Sequence, residues 1–159
     1  MVKNNLKIIT KLLFKKTNNM RKRKKLSYLK YDRGLNYLCR KHSRKMSKAG
    51  KIWHGNNMRI AVNYIDGKKA TTWQRFIFGL QGRRFNGIAG ECCAMMFKGR
   101  VKGFKKMIIT DADIASALLT IWMRSPLHRA CFVDSKWKKV GFGIHRRKNQ
   151  FYATALFYG

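Results

Sequence analysis

The sequence predicts an α+β domain over residues 26–159 behind a basic arm, residues 1–25. Three observations predict it. Apolar residues recur at helical spacing from Arg33 to Ala49. A capped helix start stands at Thr110, and two strand-like runs joined by a polar turn end the sequence. Hydrophobic residues make up 45% of the 159, enough for one domain with its own core.

The arm carries Lys3, Lys7, Lys11, Lys15, Lys16, Arg21, Lys22, Arg23, Lys24 and Lys25 and no acid. Leu6, Ile9 and Leu13 would share one face of a helix. Free in solution, such a segment is expected to be disordered unless a polyanion holds it. Its apolar run, Leu6 to Phe14, is broken by Lys7 and Lys11 and makes a poor signal-peptide core. The composition also suits an organellar transit peptide, expected here to be retained.

From Arg33 to Ala49 the stripe is Leu35, Leu38, Cys39, Met46 and Ala49, with Gly50 as the stop. His42 shares that stripe and is expected as a hydrogen-bonded helix-face histidine. Residues 51–110 are less patterned. A short helix is expected within Ala70 to Leu80, and glycines punctuate the rest. Two loops mix cations with aromatics, one holding Arg83, Arg84 and Phe85, the other Arg100, Lys102, Phe104, Lys105 and Lys106. They read either as RNA-contacting loops, with Phe85 and Phe104 stacking on bases, or as solvated basic loops.

Thr110 or Asp111 caps the next helix, whose buried stripe is Ile114, Leu118, Ile121 and Trp122. Ser125-Pro126 ends it. Val140, Phe142 and Ile144 alternate with Gly141, Gly143 and His145, and residues 151–158 form the partner strand across a turn, Arg146 to Gln150. The cysteines, Cys39, Cys92, Cys93 and Cys131, form no CxxC pair and read as small buried thiols of a reducing compartment.

These residues resemble a known family. Lys41 to His54 is similar to the long first helix and following histidine of CAP domains, and Leu29 to Asp32 to their lead-in. Gly90-Glu91 resembles the family's Gly-Glu-Asn. Trp122-Met-Arg-Ser-Pro-Leu-His-Arg129 resembles the prokaryotic-type Trp-x-x-Ser-Pro-Gly-His-Arg, at the family's spacing from Val140-Gly-Phe-Gly143. Phe151 to Gly159 resembles its last strand. The likeness covers residues 26–159 and implies a three-layer α-β-α sandwich.

It also implies a cleft of two histidines and usually two glutamates, which binds a divalent metal in some members. His54 and His128 match the histidines and Glu91 the first glutamate. Ser125 stands where animal and plant members have the second, Cys92 replaces the asparagine, and Leu127 replaces the glycine before His128. The cleft reads either as an open Zn²⁺ site or as an inherited hydrogen-bonded cluster. No cofactor and no catalytic residue is expected.

Charge shapes the functional expectation. Lys and Arg number 37 against 6 acids, a net charge of +31, and Glu91 is the sole glutamate. So large an excess needs an anionic partner. The first expectation is a non-catalytic, RNA-binding subunit of a ribonucleoprotein particle, best a mitochondrial ribosome, among neighbouring proteins. The cations at Lys15, Lys16, Arg21 to Lys25, Arg83, Arg84, Arg100, Lys102, Lys105, Lys106, Lys138, Arg146 and Arg147 would carry it. The alternatives are a CAP protein acting at a membrane or on a secreted target with a metal cleft, and a docking subunit of a membrane or viral assembly.

Overall fold

The structure, a computed structural model, describes residues 4–55 and 89–159. The helix expected at Ala70 to Leu80 and the loop bearing Arg83, Arg84 and Phe85 lie outside them. The order is α1 (Leu6–Arg23), β1 (Lys30–Tyr31), α2 (Arg33–Ala49), β2 (Ala89–Phe97), α3 (Asp111–Arg124), α4 (Pro126–Val133), β3 (Lys139–Arg147) and β4 (Gln150–Tyr158). Among the described residues the strands form one sheet in the order β1-β3-β4-β2. β1 runs parallel to β3, and the other pairings are antiparallel.

The caps expected for α2 are present. Asp32 accepts from the Leu35 amide at 2.9 Å. Gly50 stops the helix at φ 72°, where a side chain would be strained. α3 opens with a capping box: Thr110 Oγ1 accepts from the Asp113 amide, and the Asp113 carboxylate from the Thr110 amide. Pro126 follows as the first residue of α4, a separate helix that the sequence reading did not resolve.

Alternation along the strands gives the sheet two faces. On one, Val140, Phe142, Phe151, Ala153, Ala155, Phe157, Cys92, Ala94 and Met96 join Ile114, Leu118, Trp122 and Phe132 of α3 and α4 in the main core. On the other, α2 lies so close that a Cβ on Gly141 or Gly143 would collide with its backbone at Leu35–Asn36 or Cys39–Arg40. Two small apolar clusters, Leu35 and Leu38 with Leu156 and Tyr158, and Met46 with Tyr152, fill part of the gap, and polar contacts close the rest. Ser43 Oγ donates to the Gly143 carbonyl at 2.9 Å and pairs with Thr154 Oγ1, and Cys39 Sγ donates to the Gly141 carbonyl. Helices therefore cover both faces, giving the α-β-α sandwich.

Residues 5–24, within the arm expected to be disordered, form α1 and its caps. Asn5 accepts from the Lys7 and Ile8 amides, and its own amide donates to Asp111 at the start of α3. Ile9 and Leu13 are fully buried in the main core. The expectation of disorder fails because the lysines that dominate the exposed positions hide a continuous apolar stripe.

Of the residues assigned to RNA, Arg21 is internal and Phe104 half-buried. Arg21 has no exposure. Its guanidinium donates to the carbonyls of Ser27, Phe132 and Asp134, and burial holds its pKa below the ordinary value against the opposing pull of Asp134. Phe104 packs against the core with the Arg124 guanidinium 5.0 Å above its ring. Lys15, Lys22, Arg23, Lys24, Lys25, Arg100, Lys102, Lys105, Lys106, Lys138 and Arg147 are exposed, while Lys16 and Arg146 are half-buried.

Candidate functional site

β2 places Glu91 at the edge of the described sheet, opposite Leu156 of β4. Its side chain has no exposure, whereas that of His54 is 57% exposed. His54 Nδ1 lies 3.5 Å from Glu91 Oε2. The Gly55 amide donates to the same oxygen at 2.9 Å. The segment bearing His54 is held by α2, because His42 Nε2 bonds the Trp53 carbonyl at 2.8 Å and the two rings meet edge to face. His42 is thus the hydrogen-bonded helix-face histidine expected.

His128 comes from the first turn of α4, with its ring centroid 6.5 Å from that of His54. Burial, and then the nearby His54, hold its pKa below the ordinary histidine value, favouring the neutral imidazole. Its Nδ1 is buried with no hydrogen-bond partner among the described residues. Glu91 and His128, which lie far apart in sequence, are thus each brought beside His54. Leu127, in the place of the family glycine, is 85% exposed beside them.

A tighter group lies beneath. The donor atoms of His42, Glu91 and Cys93 are all within 4.8 Å of one another, and all three residues are buried. Burial, reinforced by Glu91, pushes the Cys93 thiol up to about 12, so it stays protonated. Sequence reasoning missed Cys93 and the Gly55 amide. β2 was not read as a strand, and a backbone donor leaves no trace in side-chain spacing. His145, expected beside the basic turn, lies on β3 with Nδ1 2.9 Å from Ser47 Oγ, away from the cleft.

The family described as "CAP: Cysteine-rich secretory protein family" matches residues 14–158. The chain belongs to the CAP family. Among solved structures it is similar to an outer surface protein from Borrelia burgdorferi, at 19% identity and TM-score 0.64, over 99% of this chain and 96% of that one. It is also similar to an extracellular protein containing a SCP domain from Bacillus anthracis str. Ames, at 19% identity and TM-score 0.60, over 94% of this chain. A third likeness is to a cysteine-rich secretory protein from Staphylococcus aureus subsp. aureus Mu50, at 16% identity and TM-score 0.53, again over 94% of this chain. This CAP chain spans only 39% and 38% of the latter two. A comparison with curated proteins finds no match.

These findings correct the first functional expectation. The matched CAP family carries a secretory description, and these neighbours are described as surface, extracellular or secretory proteins, not as subunits of RNA complexes. The ribosomal role, the RNA partner and the organellar location are overturned. The physical error was to let charge choose the polyanion: an excess of cations requires anions nearby but does not say which.

Proposed function

We propose that the protein is a CAP-domain module that acts at an anionic membrane surface and takes a divalent cation in the cleft of His54, Glu91 and His128. The observation that carries the reading is the His54 imidazole beside both a buried carboxylate and the His128 ring, whose Nδ1 has no hydrogen-bond partner among the described residues. That donor set suits Zn²⁺, which prefers nitrogen and oxygen ligands and tolerates an open position. A cation held there would neutralise Glu91 and supply Lewis acidity to a bound group. The chain's own contribution is to keep Glu91 dry, to hold it in place through the Gly55 amide, and to keep His128 neutral and able to ligate. The role is binding rather than catalysis. Ser125 in the place of the second glutamate leaves Glu91 as the chain's one glutamate for this cleft.

Metal analysis of the purified protein, equilibrated with Zn²⁺ and desalted, tests the cleft. About one zinc per chain is expected, lost in a His54→Ala/His128→Ala variant and kept in Cys93→Ser. Zinc retained by the double variant, or none on the parent, overturns it.

Attachment is supported by the surface description of the first structural neighbour and by the exposed cations along α1. Basic residues near an anionic leaflet are each attracted by about 1 kcal/mol, less as salt rises. The protein should co-sediment with phosphatidylglycerol vesicles, be released by added salt, and ignore phosphatidylcholine vesicles. Equal binding to both kinds rejects the surface reading.

A further inference from the structure

We propose that Cys92 and Cys131 form a redox pair, closed to a disulfide by a small disulfide-bearing oxidant, that staples β2 to α4. Both thiols are free in the structure. Alternation along β2 turns Gly90 and Cys92 to the same side, the face where α4 packs. The Cys131 sulfur stands 2.9 Å from where a Cβ on Gly90 would be, so the bare glycine makes room for it. From there Cys131 packs against the core cluster that holds Cys92. The Trp137 indole donates to the Cys131 carbonyl at 2.7 Å and fixes the end of α4. The other cysteines are engaged elsewhere. Cys93 faces the opposite side and bonds Thr154, and Cys39 donates to the Gly141 carbonyl.

Exposure sets the order of attack. Cys92 is 1% exposed, while Cys131 is only partly buried. The Cys92 thiol also holds the Cys131 thiol below its ordinary value. The Cys131 sulfur attacks one sulfur of the oxidant, forming a mixed disulfide and releasing one small thiol. The Cys92 sulfur then attacks the Cys131 sulfur, closing the protein bond and releasing the second small thiol. Two electrons pass from the protein to the oxidant, and the two thiol protons leave on the released thiols.

The bond would tie the strand that carries Glu91 to the helix that carries His128, one turn before Cys131. That consequence for the cleft rests on the proposed metal reading; the bond itself does not. Incubation with glutathione disulfide, followed by denaturation, alkylation and intact-mass analysis, reads it directly. Alkylatable thiols should fall from four to two, with peptide mapping joining Cys92 to Cys131. The oxidised form should melt about 5–10 °C higher. Cys131→Ser should abolish both effects, as should Cys92→Ala if the first variant fails to fold, while Cys39→Ser should keep them. Four thiols remaining, a bond mapped to Cys93 or Cys39, or cross-linked dimers would overturn the pairing. A confirmed bond in a protein that takes up no zinc in either form would count against the metal reading alone.

Discussion

The face of the sheet under α2 and the face under α1, α3 and α4 meet the same strands with different chemistry. Under α2 the strands offer Gly141, Gly143, Thr154, Cys93 and Glu91 among Tyr152, Leu156 and Tyr158, and the helix answers with Cys39, His42 and Ser43 among Leu35, Leu38 and Met46. Under the other helices they offer Val140, Phe142, Phe151 and Phe157 to Trp122 and Phe132. The aromatic face is stabilised by area removed from water, which is large but non-directional. On the polar face, backbones approach closely and buried donors such as Ser43 and Cys39 meet specified acceptors, so position is defined more sharply. The cleft draws Glu91 from the second kind of surface, and its His54 loop is held there by His42.

The largest expected effect tests that contrast on neighbouring residues of β3. Gly143→Val places a side chain against the backbone of Cys39 and Arg40, which cannot yield without moving α2. We expect a loss of more than about 4 kcal/mol, seen as failure to give a cooperative urea transition. Ile144→Val, one residue along and facing the aromatic core, should cost only about 1 kcal/mol. Similar costs at the two positions would mean that the faces are not differently constrained.

How much of this was legible follows from the same contrast. α2, the capping box of α3 and the β3–β4 hairpin were readable because their signals are local: period, cap and turn. β2 was not, because Cys92, Cys93, Ala94 and Met96 are all buried and its run lacks the alternation that marks a half-exposed strand. α1 had its stripe in plain view, but charge was allowed to outweigh periodicity. Arg21 shows the limit. Nothing local distinguishes it from Lys22 or Arg23, and only the carbonyls at Phe132 and Asp134, remote in sequence, explain its burial. The cleft residues were named through family resemblance; that His54 lies beside both Glu91 and His128 needed the fold.

The smallest expected effect concerns His145, on the polar face but outside the cleft. Its surroundings are the Ser47 hydroxyl, 2.9 Å away, and the cations Arg44 and Lys48 of α2. Burial, and then Arg44, lower its pKa from the ordinary histidine value, against a smaller raising effect from the Arg146 backbone. The unfolded chain therefore binds the proton more readily than the folded one. Stability from this group is complete above the unfolded value, near pH 6.5, and is lost as pH falls through the lower folded value. His128 is shifted in the same direction and adds to the slope. Urea midpoints measured from about pH 7.5 down to about pH 5 should fall for the parent and fall less steeply for His145→Gln, which cannot take up the proton. An identical slope in the two proteins would show that Arg44 and Lys48 do not act on this ring, and that the polar face is indifferent to charge at this end of α2.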